Sequence, residues 1–155
     1  MIVKTETIAF DEFHVTGIHV RTINNGQSRQ DMMALWDKFQ NENVYWQIEN
    51  KASDDIYCVY TDYESDYTGY YTAVLGCKVI SLALLPEGFK SILVPEGKYC
   101  IYHLAGKCPA NVLNAWDQIW NSNIERKYTA DFDLYTSNVK NFEDSEVKIY
   151  VAVSN

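Results

Sequence analysis

Two stretches of the chain space their apolar residues as one face of an α-helix requires. After Asp31, apolar side chains recur at positions 32, 35, 36 and 39, and after Pro109 they recur at 112, 115, 116 and 119. Separations of three and four residues place side chains on one side of a helix. Asp31 is a suitable N-cap, and Pro109 suits the first turn of a helix. We therefore predict two amphipathic helices, each with one buried face.

The two predicted helices lie at equivalent positions of an internal repeat. Residues 35–39 (LWDKF) match residues 115–119 (AWDQI) at an offset of 80, and Gly17 and Gly97 share that offset. Each glycine lies in an alternating apolar stretch that ends before its helix. Alternation of apolar and polar residues is typical of a β-strand. A strand is therefore predicted before each helix.

The repeat continues after each helix with a small change of offset. Residues 57–61 (YCVYT) match residues 132–136 (FDLYT) at an offset of 75, and residues 71–74 match residues 150–153 at an offset of 79. Residues 86–88 (PEG) form the turn region between the halves. Each half is thus predicted to contain a strand, a helix and two further strands, in that order.

One such half cannot bury both its helix and its sheet, so we predict that residues 1–155 form a single domain. The repeats cover about 1–84 and 85–155. The predicted fold class is α+β, a pseudo-symmetric duplication of a β-α-β-β module. Its antiparallel sheet carries both helices on one face and a concave ligand groove on the other. Junctions between repeats are common places for a ligand pocket.

The charge of the chain limits its partners. It has 21 acidic and 13 basic side chains, a net charge of −8, and no basic cluster. This charge repels phosphate backbones and attracts cations. We therefore expect no direct nucleic-acid binding.

The termini and cysteines indicate a cytoplasmic protein without a cofactor. Lys4 and Glu6 interrupt the first ten residues, which therefore lack the apolar core of a signal peptide, and no apolar run reaches transmembrane length. The four cysteines include no close-spaced pair, which argues against a zinc site or a redox motif. We expect reduced, buried cysteines, no membrane association, no metal and no cofactor.

Asp133 is the most unusual residue of the predicted strands. It lies in mid-strand, where aspartate is disfavoured, between Phe132 and Leu134. We predict that these two apolar side chains pack beneath the helices, whereas Asp133 and Tyr135 point to the other face. Asp133 then faces either open water or a pocket that binds a positive charge. Both alternatives are open at this point.

Aromatic residues supply the other candidate groove residues. The chain has twelve Tyr, six Phe and four Trp, and so many tyrosine hydroxyls favour a partly wet lining. Tyr60 and Tyr71 fall in predicted strands. Trp120 follows the apolar stripe of the second helix and corresponds to Gln40 in the first, so the repeat does not require an aromatic there. With Trp46, these residues join Asp133 and Tyr135 as predicted ligand-binding residues.

Several segments of the chain together resemble GyrI-like effector-binding domains. These segments are residues 60–66 (YTDYESD), 69–72 (GYYT), 76–79 (GCKV), 85–89 (LPEGF), 94–99 (VPEGKY) and 126–135 (RKYTADFDLY). They occur in the family's order and spacing over nearly the whole chain. The stand-alone members carried on integron cassettes are the most similar group.

The resemblance implies a pair of β-α-β-β modules and a drug-sensing function. Members form the sensing half of multidrug-responsive transcription regulators, or occur alone, and hold an acid in the motif Phe-Glu-x-Tyr. Here that motif reads Phe132-Asp133-Leu134-Tyr135, with aspartate in place of the usual glutamate. We therefore predict a stand-alone protein that binds small lipophilic organic cations, without an attached DNA-binding segment.

Two other functions remain open. Some GyrI-like relatives are hydrolases, and Asp133 could serve as a general base if burial raised its proton affinity. Others inhibit DNA gyrase by contact, and an acidic surface that includes Glu64, Asp66 and Glu87 could bind a basic protein. The sequence also allows a homodimer or a separate protein partner.

Overall fold

The computed structural model describes residues 1–136 and 141–154. Within these ranges, eight strands form one sheet. The strands are β1 (Ile2–Phe10), β2 (Phe13–Ile23), β3 (Ile56–Thr61), β4 (Tyr70–Val79), β5 (Phe89–Val94), β6 (Gly97–Leu104), β7 (Ala130–Tyr135) and β8 (Val147–Ala152). The helices are α1 (Gln27–Asn41), the single turn α2 (Val44–Gln47) and α3 (Ala110–Trp120), and a 3-10 turn covers Phe142–Asp144.

The two predicted amphipathic helices correspond to α1 and α3. Pro109 is the N-cap of α3, but α1 begins at Gln27 after Gly26, so Asp31 is not its N-cap. The Asp31 carboxylate instead accepts hydrogen bonds from the Thr22 hydroxyl at 2.7 Å and from Gln27 Nε2 at 3.1 Å. None of the described helices is long and apolar enough to cross a membrane.

The sheet is antiparallel and its strand order is symmetric. The order is β1-β6-β8-β7-β3-β4-β2-β5. Read inward from one edge, the strands are β1-β6-β8-β7, and read inward from the other edge they are β5-β2-β4-β3. Strands at matching positions, such as β1 and β5 or β6 and β2, differ by four in their numbers. The predicted α+β class with an antiparallel sheet is confirmed. Each helix follows two strands rather than the one predicted, and the duplication of the sequence stays a prediction.

A close backbone contact joins β2 and β4. Gly17 and Gly76 are directly opposite each other in the ladder between these strands. A Cβ atom built on Gly17 would lie 2.0 Å from the carbonyl oxygen of Leu75, and one built on Gly76 would lie 1.9 Å from that of Thr16. These distances are far inside van der Waals contact, so only glycine fits at either position.

Both faces of the sheet are buried, each by a different set of side chains. The helix-covered face contains Cys58, Leu75 and Ile149, packed against Leu35 of α1 and Ala115 of α3. The opposite face contains mainly aromatic and β-branched side chains. They include Val15, Tyr57, Val59, Val74, Tyr99 and Phe132, with Phe10, Phe13, Leu134 and Tyr150 packed around them.

The aromatic face corrects the predicted position of two residues. Phe132 and Leu134 lie on this face and not beneath the helices. The two-residue link between β1 and β2 brings Phe10 within 5.9 Å of Phe13, ring centroid to ring centroid, although β1 lies at one edge of the sheet and β2 near the other. Phe13 lies 5.6 Å from Phe132. The sheet therefore curves around the aromatic residues of this face. The alternation of apolar residues along a strand does not reveal which face of the sheet the helices cover.

Candidate ligand-binding groove

A groove of about 750 Å³ lies on the helix-covered face of the sheet, between α1 and α3. Most of the residues predicted to line a groove on the opposite face therefore lie on the helix-covered face instead. Helix α1 packs on β2 and β4, whereas α3 packs on β6. The central strands β3 and β7 lie between these contacts. The groove is the gap that the two helices leave above the middle of the sheet.

The groove is lined mainly by aromatic and aliphatic side chains. The α1 wall consists of Ser28, Arg29, Met32, Met33, Trp36 and Asp37. The α3 wall consists of Val112, Leu113, Trp116, Asp117 and Trp120. The floor consists of Tyr60, Tyr63, Tyr71, Arg126 and Tyr135. Tyr67 stacks on Trp120 at one end, with ring centroids 5.8 Å apart.

Asp133 lies fully buried beneath this floor, at 0% exposure. Its Oδ2 atom accepts hydrogen bonds from the hydroxyls of Tyr60 at 2.5 Å and Tyr135 at 3.3 Å. Its Oδ1 atom accepts one from Nε1 of Trp116 at 2.8 Å. All three donors belong to residues that line the groove. The solvent-facing alternative for Asp133 is therefore excluded, and the acid contacts the groove through aromatic side chains.

Burial and hydrogen bonding have opposite effects on the proton affinity of Asp133. Burial raises its pKa to about 6, while the hydrogen bonds from Tyr60, Trp116 and Tyr135 act against that rise. The pKa values of Tyr60 and Tyr135 are raised well above the usual range, first by burial and next by the charge of Asp133. At neutral pH the carboxylate is therefore mostly ionised and both tyrosines remain protonated donors.

A second buried carboxylate lies two residues earlier on β7. Asp131, also at 0% exposure, accepts hydrogen bonds from Arg126 Nη2 at 2.7 Å, from the Tyr63 hydroxyl at 2.6 Å and from the Ala152 backbone N–H at 2.8 Å. The Arg126 side chain is itself only 4% exposed. In contrast, none of the described basic side chains forms an ion pair with Asp133.

The structure brings together five of the six residues predicted for the groove. Tyr60, Tyr71, Trp120 and Tyr135 line it, and Asp133 lies beneath them. Trp46 lies outside the groove, because α2 turns its indole outward. This side chain is 78% exposed and packs against Tyr45, with ring centroids 5.0 Å apart.

Sequence reasoning missed several groove residues. Trp36 and Trp116 fall on the predicted buried faces of the two helices, yet both line the groove. The signal for their place in the groove was their equivalent position in the two helices. Residues at equivalent positions of a repeat can face each other across the gap between the helices. Tyr63 and Arg126 lie in segments without clear periodicity, and their role depends on contacts that no local pattern predicts.

The family of the chain follows from its sequence. The family described as Cass2, integron-associated effector binding protein, matches residues 7–153. This chain belongs to that family. The match covers both helices, all of β2 to β8 and every residue of the groove. The predicted relationship to stand-alone effector-binding proteins of integron cassettes is confirmed.

Two relatives of this chain have similar length as well as similar sequence. YobU of Bacillus subtilis (strain 168) is 27% identical over 143 residues, which are 88% of this chain and 89% of that protein. The integron cassette protein VCH_CASS2, from the mobile metagenome of Vibrio cholerae, is 31% identical. Its crystal structure has a TM-score of 0.75, with 97% of this chain and 95% of that chain covered.

A more distant structure shares the fold. The structure of SAV2435, bound to tetraphenylphosphonium, is 17% identical with a TM-score of 0.81, and the alignment covers 99% of this chain and 95% of that chain. At this identity the likeness establishes a common architecture. It agrees with the eight-stranded sheet and the two long helices described above.

Proposed function

We propose that this protein binds lipophilic organic cations in the groove between α1 and α3. The carboxylate of Asp133 provides the attraction, and the rings of Tyr60, Tyr135 and Trp116 provide the contact surface. The observation that carries the proposal is the burial of Asp133 beneath an aromatic lining without a basic partner among the described residues.

The geometry favours attraction over direct contact between the ligand and the acid. The two tyrosine hydroxyls and the indole N–H point at the carboxylate, so the rings above it separate it from a bound molecule. A cation about 6 Å from the carboxylate gains on the order of 3 kcal/mol at an effective dielectric constant of about 20. Each aromatic face adds roughly 0.5–2 kcal/mol by cation–π attraction.

The shape and charge of the molecule support the same ligand class. The groove is large enough for a drug-sized molecule, and sites of this kind are commonly apolar with a few polar groups. Asp37 and Asp117 on the two helical walls outnumber Arg29 on the α1 wall and, together with the net charge of −8, favour cations over anions. SAV2435, which shares the fold, was solved with the lipophilic cation tetraphenylphosphonium.

The arrangement of the acid supports binding more than catalysis. A general base needs a lone pair that reaches a water molecule or a substrate proton. Both oxygens of Asp133 already accept hydrogen bonds, and the residue is fully buried. Its role in the groove is therefore electrostatic.

The test compares two probes that share a shape and differ in charge. Titration calorimetry would measure the binding of tetraphenylphosphonium and of tetraphenylborate, its anionic counterpart, to the same protein. We expect tetraphenylphosphonium to bind and tetraphenylborate to bind at least about 100-fold more weakly, because the charge term of about 3 kcal/mol changes sign. Equal affinities would show that the groove selects by shape alone and would contradict the proposal.

A further inference from the structure

Arg126 carries hydrogen-bonding groups that the fold leaves unused. We propose that the unpaired N–H groups of its guanidinium, on Nε and Nη1, are a second recognition point in the groove, which binds an uncharged hydrogen-bond acceptor such as a ketone or amide carbonyl. Its ligand would be an aromatic cation that also carries a carbonyl group. This inference rests on the proposed function, since the same molecule must present its cationic part to Asp133.

The guanidinium is satisfied at one nitrogen only. Nη2 donates to Asp131 Oδ2 at 2.7 Å and to the Tyr63 hydroxyl at 3.3 Å. Nε and Nη1 are buried and have no hydrogen-bond partner among the described residues. Buried donors are rarely left unpaired in folded proteins, and each one costs roughly 1–3 kcal/mol.

Aromatic rings compensate part of this cost but do not replace an acceptor. The guanidinium carbon lies 4.3 Å from the ring centroid of Tyr128, 5.4 Å from that of Trp116 and 5.8 Å from that of Tyr63. Stacking of this kind stabilises the charge through the faces of the guanidinium. The N–H bonds lie in its plane, so an acceptor for the hydrogens of Nε or Nη1 would add to this stabilisation.

The unpaired N–H groups of Arg126 and the groove acid belong to the same site. Arg126 lines the groove. Trp116 connects the two polar groups, because its Nε1 donates to Asp133 while its ring contacts the guanidinium of Arg126. A single ligand that covers Trp116 therefore lies near both groups. The charge of Arg126 is already balanced by Asp131, so a neutral acceptor suits its unpaired N–H groups better than an additional anion.

Tyr128 is the ring best placed to shift when an acceptor enters. It is the nearest of the three rings to the guanidinium, and the residue is only half-buried. The ring stacks on a face of the guanidinium, so its displacement would make room beside Arg126 without opening the core.

The experiment uses two cations that differ only in an acceptor. Calorimetry would compare (4-oxopentyl)triphenylphosphonium with (4-methylpentyl)triphenylphosphonium, which have the same size, shape and charge. The unmodified protein should bind the ketone at least about tenfold more tightly, as one hydrogen bond from a charged donor would provide. A preference for the hydrocarbon, or equal affinity, would overturn the inference. If neither cation binds, the proposed function fails and this inference fails with it.

Two variants assign the preference to Arg126. Arg126→Lys keeps a positive charge for Asp131 but removes the donors Nε and Nη1, and the double change Arg126→Met with Asp131→Asn removes both buried charges together. In each variant we expect the preference for the ketone to disappear. A preference that persists in both would overturn the inference, since it would mean that another donor binds the ketone. A purely structural role for Arg126 would change the melting temperature but leave the ratio of the two affinities unchanged.

Discussion

Two aspartates on the same strand differ in the partners that the fold gives them. Asp131 and Asp133 are separated by one residue on β7, point to the same side of the sheet and are both fully buried. Asp131 pairs with a buried arginine and accepts a backbone N–H. Asp133 accepts hydrogen bonds from two hydroxyls and an indole.

The difference shows that burial alone does not produce a cation site. The charge of Asp131 is compensated within the fold, where it ties the segment before β7 to the end of β8. Hydrogen bonds stabilise the charge of Asp133 without cancelling it, so its field extends into the groove. The first aspartate therefore supports the structure, and the second is available to a ligand.

The largest expected effect is a loss of stability when Asp131 is replaced. Asp131→Ala leaves the Arg126 guanidinium buried without its counter-ion, and it should lower the free energy of unfolding by about 3–5 kcal/mol in urea denaturation. Asp133→Ala leaves only neutral donors unpaired, two of which are hydroxyls that line the groove, and it should cost about 1–3 kcal/mol. A larger loss of unfolding free energy for Asp133→Ala than for Asp131→Ala would contradict the assignment of Asp131 as the structural residue of the two.

The next largest effect is a loss of ligand affinity when the charge of Asp133 is removed. Asp133→Asn keeps the volume of the side chain and removes its charge. We expect the affinity for tetraphenylphosphonium to fall by at least about tenfold, while that for uncharged triphenylmethanol changes by less than about twofold. Calorimetry measures both. A similar loss for the two molecules would assign Asp133 a role in packing instead of charge.

Lowering the pH should weaken cation binding in the unmodified protein, as the Asp133→Asn substitution does. The pKa of Asp133 is raised to about 6, so the carboxylate is ionised at pH 8 and mostly protonated at pH 5. If the ionised form binds the cation, the affinity for tetraphenylphosphonium should fall about tenfold between these values. The Asp133→Asn variant should show no such dependence. A pH dependence that survives in the variant would have to come from another group.

The smallest expected effect concerns an aromatic ring of the wall. Trp120→Ala removes an indole that stacks on Tyr67 at the end of the groove. We expect about fivefold weaker binding of tetraphenylphosphonium, equivalent to about 1 kcal/mol of cation–π attraction. Trp46→Ala is the matched control, because its indole is exposed outside the groove. Equal losses in both variants would mean that the groove is not the binding site.

Local sequence patterns predicted much of the fold. The helical spacing of Trp36 and Trp116 located both helices, and an aspartate in mid-strand, with its resemblance to a known motif, singled out Asp133. These signals depend on periodicity and on the mismatch between a residue and its element. They need no knowledge of the tertiary contacts.

The rest depends on how distant segments meet. The sequence does not show which side of β7 faces the helices, because Phe132 on one side and Tyr135 on the other are both buried. It also does not show that Arg126 reaches Asp131 but forms no ion pair with Asp133. Trp46 was assigned to the groove as an aromatic residue, and only the orientation of α2 shows that it lies outside.

The most direct measurement is the titration of Asp133 in the free and bound protein, followed by NMR of its side-chain carboxyl carbon. Because linkage is reciprocal, a cation that binds the ionised form more tightly must lower the pKa of that carboxyl group. We expect a midpoint near pH 6 in the free protein and a shift of at least about one unit downward with saturating tetraphenylphosphonium. An unchanged midpoint in the complex would show that the ligand does not sense the charge of Asp133.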